Sequence, residues 1–276
     1  MSKTRDQIHR NVLQHDGFSR VKYSSLRIIE NKRLSKTLYL VRTGLLNPIA
    51  EPLPPQFANV WIPGYESIPL SIAWYSGNEV WFIVKPVGET TRKLVELGRG
   101  EYIGLYGPLG KPLLPPSGYK YLLLAGGSGL AVISHYLQKL CRDGKSCDAV
   151  YGAWSYEDIG VVPEYIRSLG GNPVTACLDK ECDIVGVVSD YLEHVDLWDY
   201  DYVIACGPQA MIRDIVRKAR KRGYDRVVLV LESMIKCGLG LCGSCKIGVN
   251  SLFLCIDGPG FYITQLDGFI EGDLHG

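Results

Sequence analysis

Four cysteines within twenty residues, in the stretch KCGLGLCGSCKIGVNSLFLC from Lys236 to Cys255, restrict this chain more than any other feature. Cys237, Cys242 and Cys245 share one glycine-rich loop. Cys255 follows on the apolar run SLFLC, which is placed to fold back as a strand and return a fourth thiol to the loop. The spacing C-x4-C-x2-C-x9-C matches a pattern that holds a [2Fe-2S] cluster on four thiolates. Gly238, Gly240 and Gly243 suit it, because a loop wrapped around a cluster needs positive φ angles and close amide donors to sulfur. Zinc is the rival, although structural zinc sites usually draw on two short cysteine knuckles. Unliganded thiols are the remaining alternative.

A one-electron centre calls for a second redox group, and 276 residues leave room for one, since domains run to about 100 to 200 residues. Residues 21–110 read as short β segments, from VKYSSLRIIENKR to EYIGLYGPLG, broken by Pro and Gly turns. That rhythm predicts a small antiparallel barrel, with the proline-rich Asn47–Gln56 as a loop inside it. From residue 119, apolar runs alternate with amphipathic helices, as in YKYLLLAGGSGLAVISHYLQKL and DYVIACGPQAMIRDIVRKARK. This predicts a doubly wound parallel sheet, whose ligands bind at the carboxyl ends of the strands. The expected fold is therefore multidomain: a β-barrel with an N-terminal extension over 1–115, an α/β nucleotide-binding domain over 116–228, and a small cluster domain over 229–276.

The turn AGGSG, Ala125–Gly129, offers bare backbone to a pyrophosphate at a helix N-terminus. It is not a G-x-G-x-x-G fingerprint, and no acidic residue ends the second strand to grip a ribose, so a tight turn without a ligand is the alternative. Thirty basic and 29 acidic side chains give no electrostatic case for nucleic acid or an anionic membrane. The basic run from Arg217 to Arg222, just before Gly223, reads as a solvated helix end. The first twenty residues lack the apolar core of a signal peptide, and Tyr121–Ile133 is too short to cross a bilayer. A cytoplasmic location is expected, where thiols stay reduced. On that basis Cys141, Cys147, Cys177, Cys182 and Cys206 read as reduced, space-filling residues rather than disulfides. The five histidines, His9, His15, His135, His194 and His275, form no recognisable triad or metal motif.

Taken in order, QFANVWIPGYESIPLSI, VGETTRKL, YGPLG, LLLAGGSGLAVI, ACGPQAM, ESMIKCGLGLCGSC and LCIDGPGF resemble the ferredoxin reductase-like flavoproteins. Within these they resemble the electron-transfer subunits of class B dihydroorotate dehydrogenases, over about residues 20 to 265. The resemblance implies FAD on the barrel. Pro69, Leu70 and Ser71 would touch the flavin, with Ser71 hydrogen-bonding near the isoalloxazine edge. Ile83, Val84 and Lys85 would line its adenosine side, and Gly88, Thr90 and Thr91 would hold its pyrophosphate. Gly126, Gly127, Ser128 and Gly129, with Cys206, Gly207 and Pro208, would form the nicotinamide side; Cys206 as an ordinary buried cysteine is the alternative. Cys237, Cys242, Cys245 and Cys255 would hold the cluster. Ile68 stands where the family often has arginine, which removes a charge-assisted contact to the flavin phosphates. Thr90 stands where glycine is usual, so it must tolerate the turn or shift the loop.

The same resemblance implies a division of labour. An FMN-containing dihydroorotate dehydrogenase catalytic subunit, two of each subunit in a heterotetramer, would oxidise dihydroorotate in pyrimidine biosynthesis. Its electrons would pass singly through [2Fe-2S] to FAD and as hydride to NAD, with NADP not distinguished. No side chain of this chain is required as a general acid or base. A (β/α)8 barrel for substrate chemistry takes about 250 residues, which cannot be spared here. The flavin and iron-sulfur subunit of a cytoplasmic hydrogenase, or of an NADPH-linked ferredoxin reductase, shares these motifs and is the nearest alternative. A zinc-stabilised interaction module is the alternative of another class.

Overall fold

Alternation of apolar and polar residues closes residues 24–109 into a barrel. A computed structural model describes residues 22–248 and 252–266; the N-terminal extension, with His9 and His15, and the end of the chain, with His275, lie outside them. Strand β1 (Ser24–Arg33) turns Leu26 and Ile28 inward and Arg27 outward. It pairs antiparallel with β2 (Tyr39–Leu45) and with β6 (Tyr102–Leu109). Strands β3 (Phe57–Trp61), β4 (Ile68–Tyr75) and β5 (Glu79–Val84) complete the closed order β1-β2-β5-β4-β3-β6. Val41, Val60, Ile72, Phe82 and Leu105 fill the interior with Leu26 and Ile28. Truncating one such side chain to alanine costs about 2–5 kcal/mol. The proline-rich loop connects β2 and β3, and a short helix α1 (Glu89–Glu96) lies between β5 and β6.

The second half alternates strand and helix. Strands β7 (Lys120–Gly126), β8 (Ser146–Gly152), β9 (Asn172–Cys177), β10 (Ile184–Val185), β11 (Tyr202–Cys206) and β12 (Val227–Val230) form a parallel sheet. In β7, Tyr121, Leu123 and Ala125 pack toward helix α2 (Leu130–Arg142), while Leu122 and Leu124 join the core on the opposite face. That opposite core takes Ile212, Ile215, Val216 and Ala219 from helix α5 (Gln209–Lys221), an i, i+3, i+4, i+7 stripe. Between β8 and β9 run two short helices, α3 (Tyr156–Ile159) and α4 (Val162–Ser168).

Helix α2 is buried almost all round because it also faces the barrel. Its Gln138 accepts from the Tyr75 N–H (3.0 Å) and donates to the Tyr75 carbonyl (2.5 Å). The barrel is thereby locked against the sheet, with the start of β4 and the end of β5 beside the start of α2.

The C-terminal segment is built onto both. Strand β12 runs across position 228, and β15 (Gly260–Tyr262) adds antiparallel to it as the edge of the sheet. The Lys111 N–H donates to the Gly258 carbonyl (2.6 Å) and the Leu231 N–H to the Pro259 carbonyl (3.0 Å). Among the described residues no helix is long and apolar enough to cross a membrane. The expectation that all the scattered cysteines are reduced fails at Cys177 and Cys182, which form a disulfide. The chain reverses between β9 and β10 and brings their Cα atoms to 5.7 Å, within bonding reach. Sequence separation carries no sign of that reversal.

Candidate redox site

Where β4 and β5 meet the carboxyl ends of β11 and β12, a cavity of about 360 Å³ opens. Pro69, Leu70 and Ser71 from β4 form one wall, Ile83 and Lys85 another, and Thr91, Ser128 and Cys206 reach it from α1, the glycine turn and β11. Val84 is not on this wall: strand alternation that turns Ile83 and Lys85 toward the cavity turns Val84 into the barrel core, where it is 1% exposed. Ile68 likewise packs on the barrel core. Gly88 is the N-cap of α1, where the Thr91 hydroxyl accepts from the Gly88 N–H (2.9 Å) and donates to its carbonyl (3.0 Å). Thr90 lies buried within the first helical turn, so the backbone asks no glycine of it.

A second cavity, about 210 Å³, lies across the glycine turn and includes Gly126, Gly127 and Pro208. Gly207 borders a smaller space of about 160 Å³ with Glu232. Gly127 has φ +53° and open space around it. Gly129 has to be bare, since a Cβ there would fall 2.1 Å from the Cys206 carbonyl oxygen. The turn thus packs directly on the end of β11 and leaves backbone exposed to a ligand. Lys85 lines both main cavities and is the cation between them.

Two wall residues escaped sequence reading. Glu232, just beyond β12, lines the first cavity, and burial pushes its carboxyl up, with the Ser128 hydroxyl and Lys85 opposing. Asp158 lines the second cavity from α3, six residues beyond β8. The signal for Asp158 was the pair Ser155 and Asp158 at capping-box spacing. For Glu232 no local pattern existed. Burial, and then Glu232, push the Cys206 thiol well above its usual range, so it sits there as a neutral thiol.

The four loop cysteines come together as two pairs. A hairpin of β13 (Lys246–Ile247) and β14 (Leu252–Phe253) brings the Leu254 N–H to the Cys245 carbonyl (3.1 Å) and sets the Cys245 and Cys255 sulfurs 3.2 Å apart. Cys237 and Cys242 form the other hydrogen-bonded pair. Ser244, through side chain and backbone, and then Cys237 bring the Cys242 thiol down to about 6. The Gly240 N–H points at Cys255 Sγ (3.2 Å) and the Leu239 N–H at Cys237 Sγ (3.4 Å). Gly238 and Gly240 adopt φ +71° and +73°, and Cβ atoms there would meet Leu109 and Ile256.

Among the described residues no three Cys, His, Asp or Glu converge as a single ion requires. Two thiol pairs with amide donors to sulfur fit the two irons of a [2Fe-2S] cluster, each iron taking one pair. A tetrahedral zinc site would gather four ligands at one point. The loop lies against the barrel: Asn59 Nδ2 donates to the Cys237 carbonyl (3.4 Å), and Phe57 and Pro259 wall the first cavity alongside.

Barrel, doubly wound sheet and paired thiols together define a ferredoxin reductase-like protein with an iron-sulfur segment. Comparison with known proteins narrows this. Residues 232–267 match the iron-sulfur cluster binding domain of dihydroorotate dehydrogenase B. The dihydroorotate dehydrogenase B (NAD(+)) electron-transfer subunit of Archaeoglobus fulgidus is 33% identical over 214 residues, 77% of this chain and 87% of that protein. The Pyrococcus furiosus protein of the same name is 34% identical over 213 residues, 77% and 81% of the two chains. The chain belongs to the dihydroorotate dehydrogenase B electron-transfer subunit family. Among solved structures, an NADH-dependent reduced ferredoxin-NADP oxidoreductase superposes with a TM-score of 0.77 at 25% identity, covering 89% of this chain and 91% of that one. A ferredoxin NADP+ reductase from Neisseria gonorrhoeae shares the fold at 16% identity and a TM-score of 0.63, covering 76% and 98%.

Proposed function

We propose that this chain is the electron-transfer subunit of a dihydroorotate dehydrogenase, an oxidoreductase subunit linking a dihydroorotate-oxidising partner to NAD. The observation that carries this reading is the placing of the cysteine loop against the barrel beside the larger cavity: Asn59 Nδ2 donates to the Cys237 carbonyl (3.4 Å), and Ile235, two residues before Cys237, lines that cavity. FAD in that cavity and a [2Fe-2S] cluster on the thiols supply one-electron exchange on the partner's side and hydride exchange on the nicotinamide side.

The chain's own residues bind and orient. Pro69 and Leu70 present an apolar edge and Ser71 a hydroxyl to the flavin. Thr91 and Lys85 face its phosphates, with Lys85 offsetting negative charge from both nucleotides. Cys206 and Glu232 line the larger cavity, both held toward the neutral state by burial, and keep charge away from the reacting rings. The glycine turn supplies amides to the dinucleotide pyrophosphate. Dihydroorotate chemistry belongs to an FMN-containing catalytic subunit, two of each in a heterotetramer, and we place the assembly in the cytoplasm.

The likeness to the NADH-dependent ferredoxin-NADP oxidoreductase favours one other reading, in which a ferredoxin-linked partner takes the place of the dihydroorotate enzyme. Copurification with a tagged chain separates them. An FMN-containing partner that oxidises dihydroorotate is expected. A partner carrying nickel or ferredoxin-type clusters, or stoichiometric zinc without labile sulfide in this chain, would overturn the assignment.

A further inference from the structure

The Cys177–Cys182 disulfide stands behind one wall of the second cavity, and neither the cysteine loop nor the flavin wall uses it. It closes only the short loop between β9 and β10, over a sequence separation of 5. The two strands hold together without it. Asp183 Oδ2 accepts from the Thr175 N–H and from the Thr175 hydroxyl (2.8 Å each), the Asp183 N–H donates back to that hydroxyl oxygen (3.0 Å), and the Gly186 N–H donates to the Cys177 carbonyl (2.7 Å). A bond that closes so small a ring restrains little of the unfolded chain. What it orders is the loop over 178–182.

That loop carries the base of the cavity's outer lip. The Leu178 N–H donates to the Trp154 carbonyl (3.3 Å), and the Tyr156 N–H donates to Asp179 Oδ2 (2.7 Å). Trp154 and Asp158, on either side of Tyr156, line the cavity. Within the loop the Cys182 N–H reaches the Asp179 carbonyl at 3.4 Å, and Leu178, Lys180 and Glu181 are exposed. Once the sulfurs part, the loop regains backbone freedom and makes its two bonds to the lip for only part of the time. The bond lies at the surface on one side only: Cys177 is fully buried, and Cys182 is 6% exposed between the exposed Glu181 and Asp183.

We propose that this disulfide is a reversible redox latch on the second cavity, which fixes the lip for its ligand when oxidised and frees it when a dithiol reduces it. The proposal rests on the reading that the second cavity takes a nicotinamide dinucleotide. A thiolate of the dithiol attacks Cys182 Sγ, the bond to Cys177 breaks as the mixed disulfide forms, and Cys177 leaves as a thiolate that takes up a proton. The second thiol of the reductant then closes the reductant's own disulfide and releases Cys182 as a thiol. Two electrons and two protons pass to the chain, and a small-molecule disulfide reverses the exchange.

The test compares the full flavin- and iron-loaded chain as the oxidised protein, after anaerobic treatment with dithiothreitol and its removal, and after reoxidation with oxidised glutathione. Peptide masses after alkylation should show Cys177 and Cys182 blocked only in the reduced sample. There the Tyr156 and Leu178 amides should exchange with deuterium at least about tenfold faster. The NADH concentration that half-reduces the flavin should rise about tenfold. Reoxidation should restore both, and Cys177→Ser/Cys182→Ser should behave as the reduced chain and ignore dithiothreitol. A bond that resists dithiothreitol, equal amide exchange in the two forms, or a dithiothreitol response of the same size in the double variant each overturns the proposal. If NADH reduces the flavin with the same dependence in both forms, the latch is wrong and the dinucleotide reading stands; if NADH fails with the oxidised chain, that reading falls and the latch with it.

Discussion

The two thiol pairs of the C-terminal loop are made of the same residue type and built into opposite surroundings. Cys245 and Cys255 are each 2% exposed and belong to the core shared with β12 and α5. Cys242 is exposed and Cys237 half-buried, on a stretch held by glycine turns and main-chain contacts to the barrel. The inner pair is therefore positioned by the fold itself, and the outer pair by a loop that solvent or a partner can reach. The difference leaves the outer pair, and not the inner one, open to a partner, beside Leu241, which is 62% exposed.

Substitution should expose this asymmetry most strongly at the cysteines. Cys255→Ala and Cys242→Ala should both lose iron and labile sulfide. In iron-free chains, Cys255→Ala should still be destabilised by roughly 1–3 kcal/mol, whereas Cys242→Ala should stay within about 0.5 kcal/mol of wild type. Equal denaturant midpoints for the two iron-free variants would break the comparison. The glycines supply a finer test. Gly240→Ala faces a left-handed backbone and a collision with Ile256 at 1.8 Å, while Gly243→Ala, at φ +77°, meets open space. The first should abolish cluster retention. The second should cost about 1–2 kcal/mol and keep the cluster, read from visible absorbance and thermal melts.

A control away from the loop concerns Lys218, whose ammonium meets Asp190 (2.7 Å), Glu193 (2.9 Å) and Asp214 (3.2 Å). Burial pushes Asp190 and Asp214 up, but hydrogen bonds from Lys218 and, for Asp214, from Ser189 and Arg217 outweigh it and hold both below the ordinary carboxylate range. Groups so depressed contribute stability that is complete above a pH of about 4 and is lost as the pH falls through their folded values. Lys218→Met should thus cost about 1 kcal/mol at neutral pH, with the deficit fading below pH of about 4, while iron content at neutral pH is unchanged. The smallest effect is expected at Cys206, which lies in the nucleotide sheet. Cys206→Ala should leave the iron-sulfur spectrum as it is, and iron loss matching that of Cys255→Ala would contradict the assignment of ligands.

Much of this architecture was legible along the chain, for different reasons in each part. Spacing alone named the four loop cysteines, because their ligand set is nearly local in sequence. Periodicity gave the barrel and the doubly wound sheet, since periods of 2 and 3.6 record which side faces a core. Three consecutive residues, Ile83, Val84 and Lys85, could not all face one cavity, and alternation, applied there, would have singled out Val84. Other features depend on the path of the chain rather than on local pattern: the reversal that closes the Cys177–Cys182 bond, the return of β15 to the sheet edge at Val228–Val230, and the convergence of Glu232, Ser128 and Cys206. Asp158 was hidden for a related reason, because its carboxylate reaches the cavity from a short helix rather than from the strand end.

The central claim is that the paired thiols join an outside electron donor to NAD. Its most direct test is NADH formation, followed at 340 nm under anaerobic conditions, from dihydroorotate and NAD with the copurified partner. The complex with wild-type chain should form NADH, and neither subunit should do so alone. The complex with Cys255→Ala should lose this activity while still oxidising NADH with an artificial two-electron acceptor. Dihydroorotate oxidation by the isolated chain, or undiminished NADH formation by the iron-free Cys255→Ala complex, would contradict the account.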